Sequence, residues 1–237
     1  MKTLTATLLA VTASGTCFGA MLATGICFAS LAVCFGQTDQ NKPAGQDFKE
    51  TQAKAVQGDG GAQYALGVCY GYGRGVAKNA VEAAKWYRKA AEQGNADAQY
   101  SMGWCYQNGE GVEGATIEAV KWYRKAAEQS HILAQYSLGW CCQNGSGTDK
   151  NPIEATKWYG KAAEQGHGDA QYALALYYSR GAMKNYVEAY KWAVLVAAQG
   201  YPDARKLKDD MEPRMKPEQI TEARRLADAI KSRLPSQ

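Results

Sequence analysis

Histidine, phenylalanine and proline are scarce in this chain, which has two, four and six of them among 237 residues. No H-E-x-x-H or C-x-x-C sequence occurs, so the usual spacings of zinc ligands are missing. Charge of one sign is scarce too, because 27 Lys and Arg face 23 Asp and Glu. Nucleic-acid-binding proteins usually carry a concentrated basic stripe instead. We therefore expect no metal, no cofactor and no nucleic-acid partner.

Charge is almost absent from the N-terminal segment. After Lys2 the next charged residue is Asp39, and an apolar stretch rich in Ala, Thr and Gly lies between them. This pattern is typical of an export signal, and small residues before position 37 suit cleavage just after Gly36. The sequence thus predicts a periplasmic or secreted protein.

Two alternatives for this segment remain open. The stretch is long enough to act as an uncleaved membrane anchor, with the rest of the chain facing the periplasm. The sequence Leu31-Ala32-Val33-Cys34 is also similar to a lipoprotein cleavage site, although Val33 departs from the small residue expected before the cysteine. The protein contacts a membrane only if the segment is retained or lipidated at Cys34.

What the chain does contain is a repeat. Ala-Gln-Tyr begins at Ala62, Ala98, Ala134 and Ala170, at intervals of 36 residues. A tryptophan follows 24 residues into each of the first three units, whereas Trp192 follows after 22, so the fourth unit has lost two residues from its internal turn. A fixed period of this length indicates a solenoid.

Each unit predicts two helices joined by a glycine-rich turn. In the second unit, Ala98, Met102 and Tyr106 form one buried stripe, and Gly103 lets a neighbouring helix approach closely. A Gly-x-Gly sequence, which permits positive φ, ends the first helix of three units. On the second helix, an i,i+3 Glu–Lys pair supports the exposed face. The pairs are Glu82/Lys85, Glu118/Lys121, Glu154/Lys157 and Glu188/Lys191.

These residues resemble the Sel1-like repeat, a relative of the tetratricopeptide repeat. The pattern is Ala-x-x-x-Leu-Gly-x-x-Tyr-x-x-Gly-x-Gly-Val, then Glu-Ala-x-x-Trp-Tyr-x-x-Ala-Ala-x-x-Gly, and the clearest copy runs from Ala62 to Gly94. Other copies depart from it, with Ser130 and Ala175 where glycine is usual. The resemblance implies an all-α fold, an α-solenoid that forms a right-handed superhelix of antiparallel helix pairs. It also implies an adaptor role, and many bacterial members are exported.

The expected organisation has caps at both ends, because terminal units would otherwise expose an apolar face. Residues 48–61 match the second half of a preceding unit, and Pro217 begins a helix with its apolar stripe at Ile220, Ala223, Ala227, Ile230 and Leu234. The predicted segments are a leader (1–36), a linker (37–47), a partial repeat (48–61), repeats at 62–97, 98–133, 134–169 and 170–203, and capping helices (204–237).

The cysteines that follow the leader are predicted to be free. Cys69, Cys105 and Cys141 occupy one position of successive units, so they should lie about 10 Å apart, beyond the ~7 Å reach of a disulfide between Cα atoms. Cys141 and Cys142 are adjacent, which disfavours a bridge between them. His131 and His167 share one position in the turns between units and cannot converge on one metal with the buried cysteines.

Tryptophan marks the candidate binding site. Trp104 and Trp140 are the sixth residues after the repeat alanines, where the other units have Val68 and Leu176. In the resembling families this position lies on the concave side, where an indole suits the anchoring of a peptide or helix. The amides expected to supply hydrogen bonds at the groove edge are Gln107, Asn108, Gln143 and Asn144. The alternative is that both indoles fill gaps between units.

We therefore expect a scaffold that holds a protein or peptide and is not an enzyme. The alternative follows from the same resemblance, since cysteine-rich exported Sel1-like proteins have been credited with β-lactamase or penicillin-binding activity. The motifs S-x-x-K, S-D-N and K-T-G that signal such hydrolases are absent here. Those relatives also pair cysteines within each repeat, whereas this chain has one cysteine per unit plus Cys142.

Overall fold

A computed structural model describes residues 44–180 and 184–234 of the chain. The predicted leader, its cleavage site and most of the linker lie outside the described residues. Within the described part, no helix has both the length and the apolar character that a membrane span requires.

The fold is all-α, as the sequence predicts. Across the described ranges there are eleven α-helices and no strand, and the first nine helices have thirteen residues each. We number them in chain order: α1 Ala44–Val56, α2 Gly60–Tyr72, α3 Ala80–Glu92, α4 Ala96–Asn108, α5 Thr116–Glu128, α6 Ile132–Asn144, α7 Pro152–Glu164, α8 Gly168–Arg180, α9 Tyr186–Ala198, α10 Pro202–Met211 and α11 Pro217–Lys231. A 3₁₀ turn, Glu212–Arg214, joins the last two.

The helices build an α-solenoid, because each of α1 to α10 packs mainly on its neighbours in the sequence. In each repeat an even-numbered first helix (α2, α4, α6, α8) pairs with the odd-numbered second helix that follows it. Seven residues (145–151) separate α6 from α7, whereas five (181–185) separate α8 from α9.

Local sequence determines where each first helix begins and ends. Asp59, Asn95, His131 and His167 accept a hydrogen bond from the backbone N–H three residues on, which satisfies an otherwise unpaired donor. At the other end, Gly109 has φ +67 and caps α4. Gly111, at φ +75, also lies against α3, where a Cβ would overlap the carbonyl oxygen of Ala80. The turn glycines therefore serve conformation, as the Gly-x-Gly pattern predicts, and also repeat packing, which the pattern does not predict.

A ladder of glutamines joins successive repeats. The buried Gln99 donates from Nε2 to the carbonyl oxygen of Ala91 at 3.1 Å and accepts at Oε1 from Gln129 Nε2 at 2.7 Å. The same two bonds recur at each junction, since the other buried members are Gln63, Gln135 and Gln171 and their partners are Gln93, Gln165 and Gln199. Each buried amide thus has both of its ends satisfied.

The N-terminal cap, α1, corresponds in sequence position to the second helix of a repeat. Its Ala55 is buried against α2, and Phe48 meets the ring of Tyr70 edge-on at 5.8 Å. The positions that in α3 hold Ala83, Tyr87 and Ala90, the face toward a helix's own first partner, hold Asp47, Thr51 and Lys54 in α1. Because these side chains are polar, this face of α1 can contact solvent and does not need another repeat to cover it.

The C-terminal cap, α11, packs on α9. The prediction that Pro217 begins this helix is confirmed, and Ala223, Ala227 and Ile230 of the predicted stripe are buried. α9 carries Val194 and Leu195 where α5 has Arg124 and Lys125, and both belong to the same apolar cluster as the stripe of α11. Because apolar side chains replace the two cations, the last repeat has an apolar face that a capping helix can cover.

Candidate protein-binding surface

Trp104 and Trp140 lie at equivalent places on the first helices α4 and α6, but their surroundings differ. The Trp104 side chain is 40% exposed, whereas Trp140 is partly buried and packs against the core. In the flanking repeats Val68 is buried and Leu176 is partly buried at the same position. The accessible aromatic surface of this row is therefore centred on Trp104.

The two asparagines bind back to their own helices. Asn108 Nδ2 donates to the carbonyl oxygen of Trp104, and Asn144 Nδ2 donates to that of Trp140, both at 2.9 Å. These bonds hold each amide one turn beyond its indole. Within the described residues the Oδ1 atoms accept no hydrogen bond, so each asparagine offers an acceptor at the surface.

The two glutamines hold the helix pairs together. Gln107 Oε1 accepts from the hydroxyl of Tyr123 at 2.6 Å, and Gln143 Oε1 accepts from Tyr159 at 2.7 Å. The sequence did not reveal this second role. Their Nε2 groups make no hydrogen bond within the part of the chain that is described, so a donor remains beside each indole.

The histidines cap helices and stack on the preceding repeat. The ring of His131 lies 4.8 Å from that of Tyr100, and that of His167 lies 4.6 Å from Tyr136. His131 Nε2 also lies 3.2 Å from Asp97 Oδ1. No group of three or more His, Cys, Asp or Glu residues suitable for a metal occurs among the described residues.

The four cysteines of the described part are free, which confirms the prediction from their spacing. Three of them are buried and Cys69 is partly exposed. Burial raises the pKa of Cys105 and of Cys141 to about 12. A thiol with so high a pKa stays protonated near neutral pH and is a poor nucleophile.

The second helices present a different surface, with lysine over tryptophan. Lys125 Nζ lies 4.2 Å from the ring centroid of Trp122, and the arrangement recurs in α3 and α7. Three of the four predicted Glu–Lys pairs form at 2.6 Å. The fourth prediction is wrong, because Glu154 instead binds Arg124 of the preceding second helix at 3.0 Å and accepts from Trp158 Nε1. The guanidinium thus links two repeats where Lys157 would have supported one helix.

The architecture is that of a helix-pair repeat protein. The Sel1 repeat model matches residues 61–95, 96–131, 132–167 and 168–201, which is more than half of the chain. The chain therefore belongs to the Sel1 repeat family. Proteins with this fold typically serve as scaffolds for protein–protein interaction and are generally non-catalytic.

The chain is also similar to solved structures. A Sel1 repeat protein from Oxalobacter formigenes is 34% identical, with a TM-score of 0.66 over 78% of this chain and 77% of that one. The protective antigen c5321 of uropathogenic Escherichia coli is 31% identical, with a TM-score of 0.45 over 79% of this chain and 49% of that one. Cysteine-rich protein B of Helicobacter pylori is 23% identical, with a TM-score of 0.44 over 54% of this chain and 95% of that one. A comparison with curated proteins gives no significant match.

Proposed function

We propose that the chain is an exported, non-catalytic scaffold that holds a protein or peptide partner in a concave groove formed by its first helices. The observation that carries the proposal is the exposed indole of Trp104, which is large, amphipathic and held on a rigid helix. Tryptophan in such a place is often an anchor of a protein interface. Trp140, one repeat away, extends the same row.

The amides beside each indole support a polypeptide partner. Gln107 contributes an unpaired donor, Nε2, and Asn108 an unpaired acceptor, Oδ1. One donor and one acceptor together match the carbonyl and the N–H of a peptide group. Gln143 and Asn144 repeat the pair beside Trp140. A partner whose main chain crosses both repeats would satisfy four groups without any charge.

Site-specific photocrosslinking in native cells tests this surface. A photoreactive residue at Ser101 or Ser137, one turn before each indole, should give a defined crosslinked partner, and Trp104→Ala should abolish it. A photoreactive residue at Ile117, on a second helix, is the matched control and should not capture the same partner. Thermal unfolding of Trp104→Ala and Trp140→Ala must show folded proteins. If both substitutions lower the free energy of unfolding by several kcal/mol, as truncations of core residues do, the indoles are packing residues and the proposal fails.

Export belongs to the same proposal and has a separate test. N-terminal sequencing of the protein isolated from its cells should begin at Gln37 if the leader is removed after Gly36. A chain that retains residues 1–36 would instead be membrane-anchored, and a modified Cys34 at the N-terminus would indicate lipidation.

A further inference from the structure

The second helices α3, α5 and α7 each expose one apolar and two cationic side chains in a stripe. We call this stripe the outer face. On α5 it consists of Ile117, Lys121 and Lys125, at i, i+4 and i+8, which places all three on one side of the helix. Ile117 is 62% exposed. The equivalent residues are Val81, Lys85 and Lys89 on α3 and Ile153, Lys157 and Lys161 on α7.

The last lysine of each stripe is a fixed cation without a counter-ion. Lys89, Lys125 and Lys161 lie 4.1 to 4.2 Å above tryptophan rings of their own helices. In the described ranges none of the three makes an ion pair. A cation–π contact restricts the long side chain, so less conformational entropy is lost when the ammonium group meets an anion.

A shallow depression adjoins the tryptophan in two successive repeats. One, of about 350 Å³, is lined by Lys121, Trp122 and Lys125 among other residues of α5. The other, of about 410 Å³, is lined by the equivalent Lys157, Trp158 and Lys161 of α7, and Ile153 also contributes. The outer face therefore combines apolar and cationic character in the same way from repeat to repeat.

In the fourth repeat the equivalent face is largely buried. Its equivalent residues are Val187, Lys191 and Leu195, and α9 differs from the other second helices in also packing against α11. The Lys191 side chain is 12% exposed, against 62% for that of Lys121, and Leu195 is 6% exposed. We attribute this burial to α11, an amphipathic helix. The outer face of a second helix can thus accept a helix.

We propose that the outer faces of α3, α5 and α7 bind an acidic amphipathic helix of a partner protein. Its apolar stripe would cover the exposed Val81, Ile117 and Ile153. Its carboxylates would meet Lys89, Lys125 and Lys161, which stand where the fourth repeat has the buried Leu195. Charge complementarity determines which kind of helix each face accepts. The stripe of α11 suits the apolar face of α9, whereas a helix on α3, α5 or α7 needs carboxylates opposite the lysines.

A helix fits this surface better than an anionic membrane does. Glu118 and Glu154 line the two depressions and would repel a continuous layer of anionic headgroups. A helix can place each carboxylate opposite a lysine and leave the glutamates at the edge. The α11–α9 packing also gives a working example of helix docking on this fold.

Fluorescence anisotropy with the full-length protein tests the proposal. The probe is a fluorescein-labelled synthetic 15-residue peptide with leucines at the spacing of Ala223, Ala227 and Ile230 and glutamates on both flanks. It should bind, and the double change Lys125→Gln/Lys161→Gln should weaken binding about tenfold, as expected for the loss of two partly exposed ion pairs. Lys206→Gln/Lys231→Gln removes two exposed lysines elsewhere and should leave binding unchanged.

Three results would overturn the proposal. The first is equally tight binding of a scrambled peptide of the same composition, which would indicate nonspecific attraction. The second is binding of the probe to the outer-face variant as tightly as to the control variant. The third is binding of phosphatidylglycerol vesicles with the same lysine dependence while the probe does not bind, which would identify a membrane surface instead. Trp104→Ala separates this site from the proposed groove, because it should not alter probe binding. Ile117→Ser should also weaken probe binding, because it removes an apolar side chain of the outer face. Circular dichroism of every variant verifies folding.

Discussion

Gly103 of α4 lies directly beneath the ring of Tyr123 of α5, so close that a Cβ on the glycine would be 2.5 Å from Cδ1 of the tyrosine. The first and third repeats repeat this relationship with Gly67 and Tyr87 and with Gly139 and Tyr159. In the fourth repeat Ala175 replaces the glycine, and Ala193 replaces the tyrosine; both are fully buried. In the fourth repeat, alanine in place of glycine on the first helix is thus matched by alanine in place of tyrosine on the second helix.

Gly103→Ala should destabilise the protein by about 1–3 kcal/mol, because the added methyl group forces the buried ring of Tyr123 to shift. Urea unfolding measures the change. The matched control is Gly160→Ala in α7, where a Cβ meets nothing within 4 Å. That substitution should stabilise by about 0.5–1 kcal/mol, since alanine favours a helix interior over glycine.

A double-mutant cycle makes this prediction sharper. In the Tyr123→Ala background, Gly103→Ala should cost much less, because the double variant reproduces the Ala175/Ala193 pair of the fourth repeat. Equal costs in both backgrounds would show that the strain arises elsewhere than at the ring.

Gln99→Leu should cost about 1–3 kcal/mol by urea unfolding. The buried amide bridges Ala91 and Gln129, and its loss leaves polar groups at the repeat junction without partners. Gln129→Leu is the control, because Gln129 is exposed and the bond it makes can be replaced by water. Its cost should be about 0.5–1.5 kcal/mol at most. A larger effect for Gln129 than for Gln99 would contradict the ladder as described.

The period of the sequence was sufficient to predict the solenoid. Ala-Gln-Tyr every 36 residues, Gly-x-Gly after it and Trp-Tyr later gave the helix pairs, the shortened fourth turn and the close approach at Gly103. The glutamine ladder was missed because it joins residues about 30 positions apart, such as Gln99 and Gln129, and a polar residue in a helix usually points to solvent. Only its recurrence in every unit could have signalled it.

The candidate site was less predictable than the fold. Sequence spacing placed Trp104 and Trp140 at equivalent positions but could not show that one indole is more exposed than the other, because that depends on how neighbouring helices pack. Gln107 illustrates the same limit: its bond to Tyr123 joins helices whose relative rotation no single helical pattern determines. The pairing of Glu154 with Arg124, in place of the predicted Lys157, also depends on how neighbouring helices are oriented.

His167 should make stability fall in mild acid. Its Nδ1 accepts a hydrogen bond from the backbone N–H of Ala170 at 3.3 Å, which requires the unprotonated form. Burial lowers the pKa of His167, and the nearby Asp169 opposes this only in part. The unfolded chain, with a histidine pKa of about 6.5, therefore binds the proton more readily than the folded one. The contribution of His167 is complete above the unfolded pKa and is lost as the pH falls from there through the lower, folded pKa.

Thermal or urea unfolding between pH 5 and pH 8 measures this effect, and the loss should stay within the ~0.5–2 kcal/mol range of a helix N-cap. His167→Asn is the matched variant, because Asn95 already caps the equivalent helix of the second repeat. The variant should retain the cap and flatten the pH dependence. An unchanged pH profile would assign the acid sensitivity to another group.

Leu195→Lys should release the C-terminal cap. Leu195 is buried in the same apolar cluster as the stripe of α11, and the change restores the residue that the other three second helices carry there. Placing an ammonium group in this apolar cluster costs several kcal/mol, more than the docking of one helix can be expected to offset. Hydrogen exchange of residues 217–231 should therefore approach that of an unprotected helix, while α2 to α7 keep their protection because repeats contact only their neighbours.

Lys125→Leu is the reciprocal control, since it makes the outer face of α5 apolar without touching α11. Protection of residues 217–231 should then be unchanged. If Leu195→Lys also left that protection intact, α11 would be held by contacts other than its apolar stripe, such as the bonds of Arg224 with Tyr190 and Glu212. Arg224→Ala in the Leu195→Lys background would then remove these bonds. If residues 217–231 lose protection only in this double variant, the charge on the second helix is not by itself enough to determine where a helix docks.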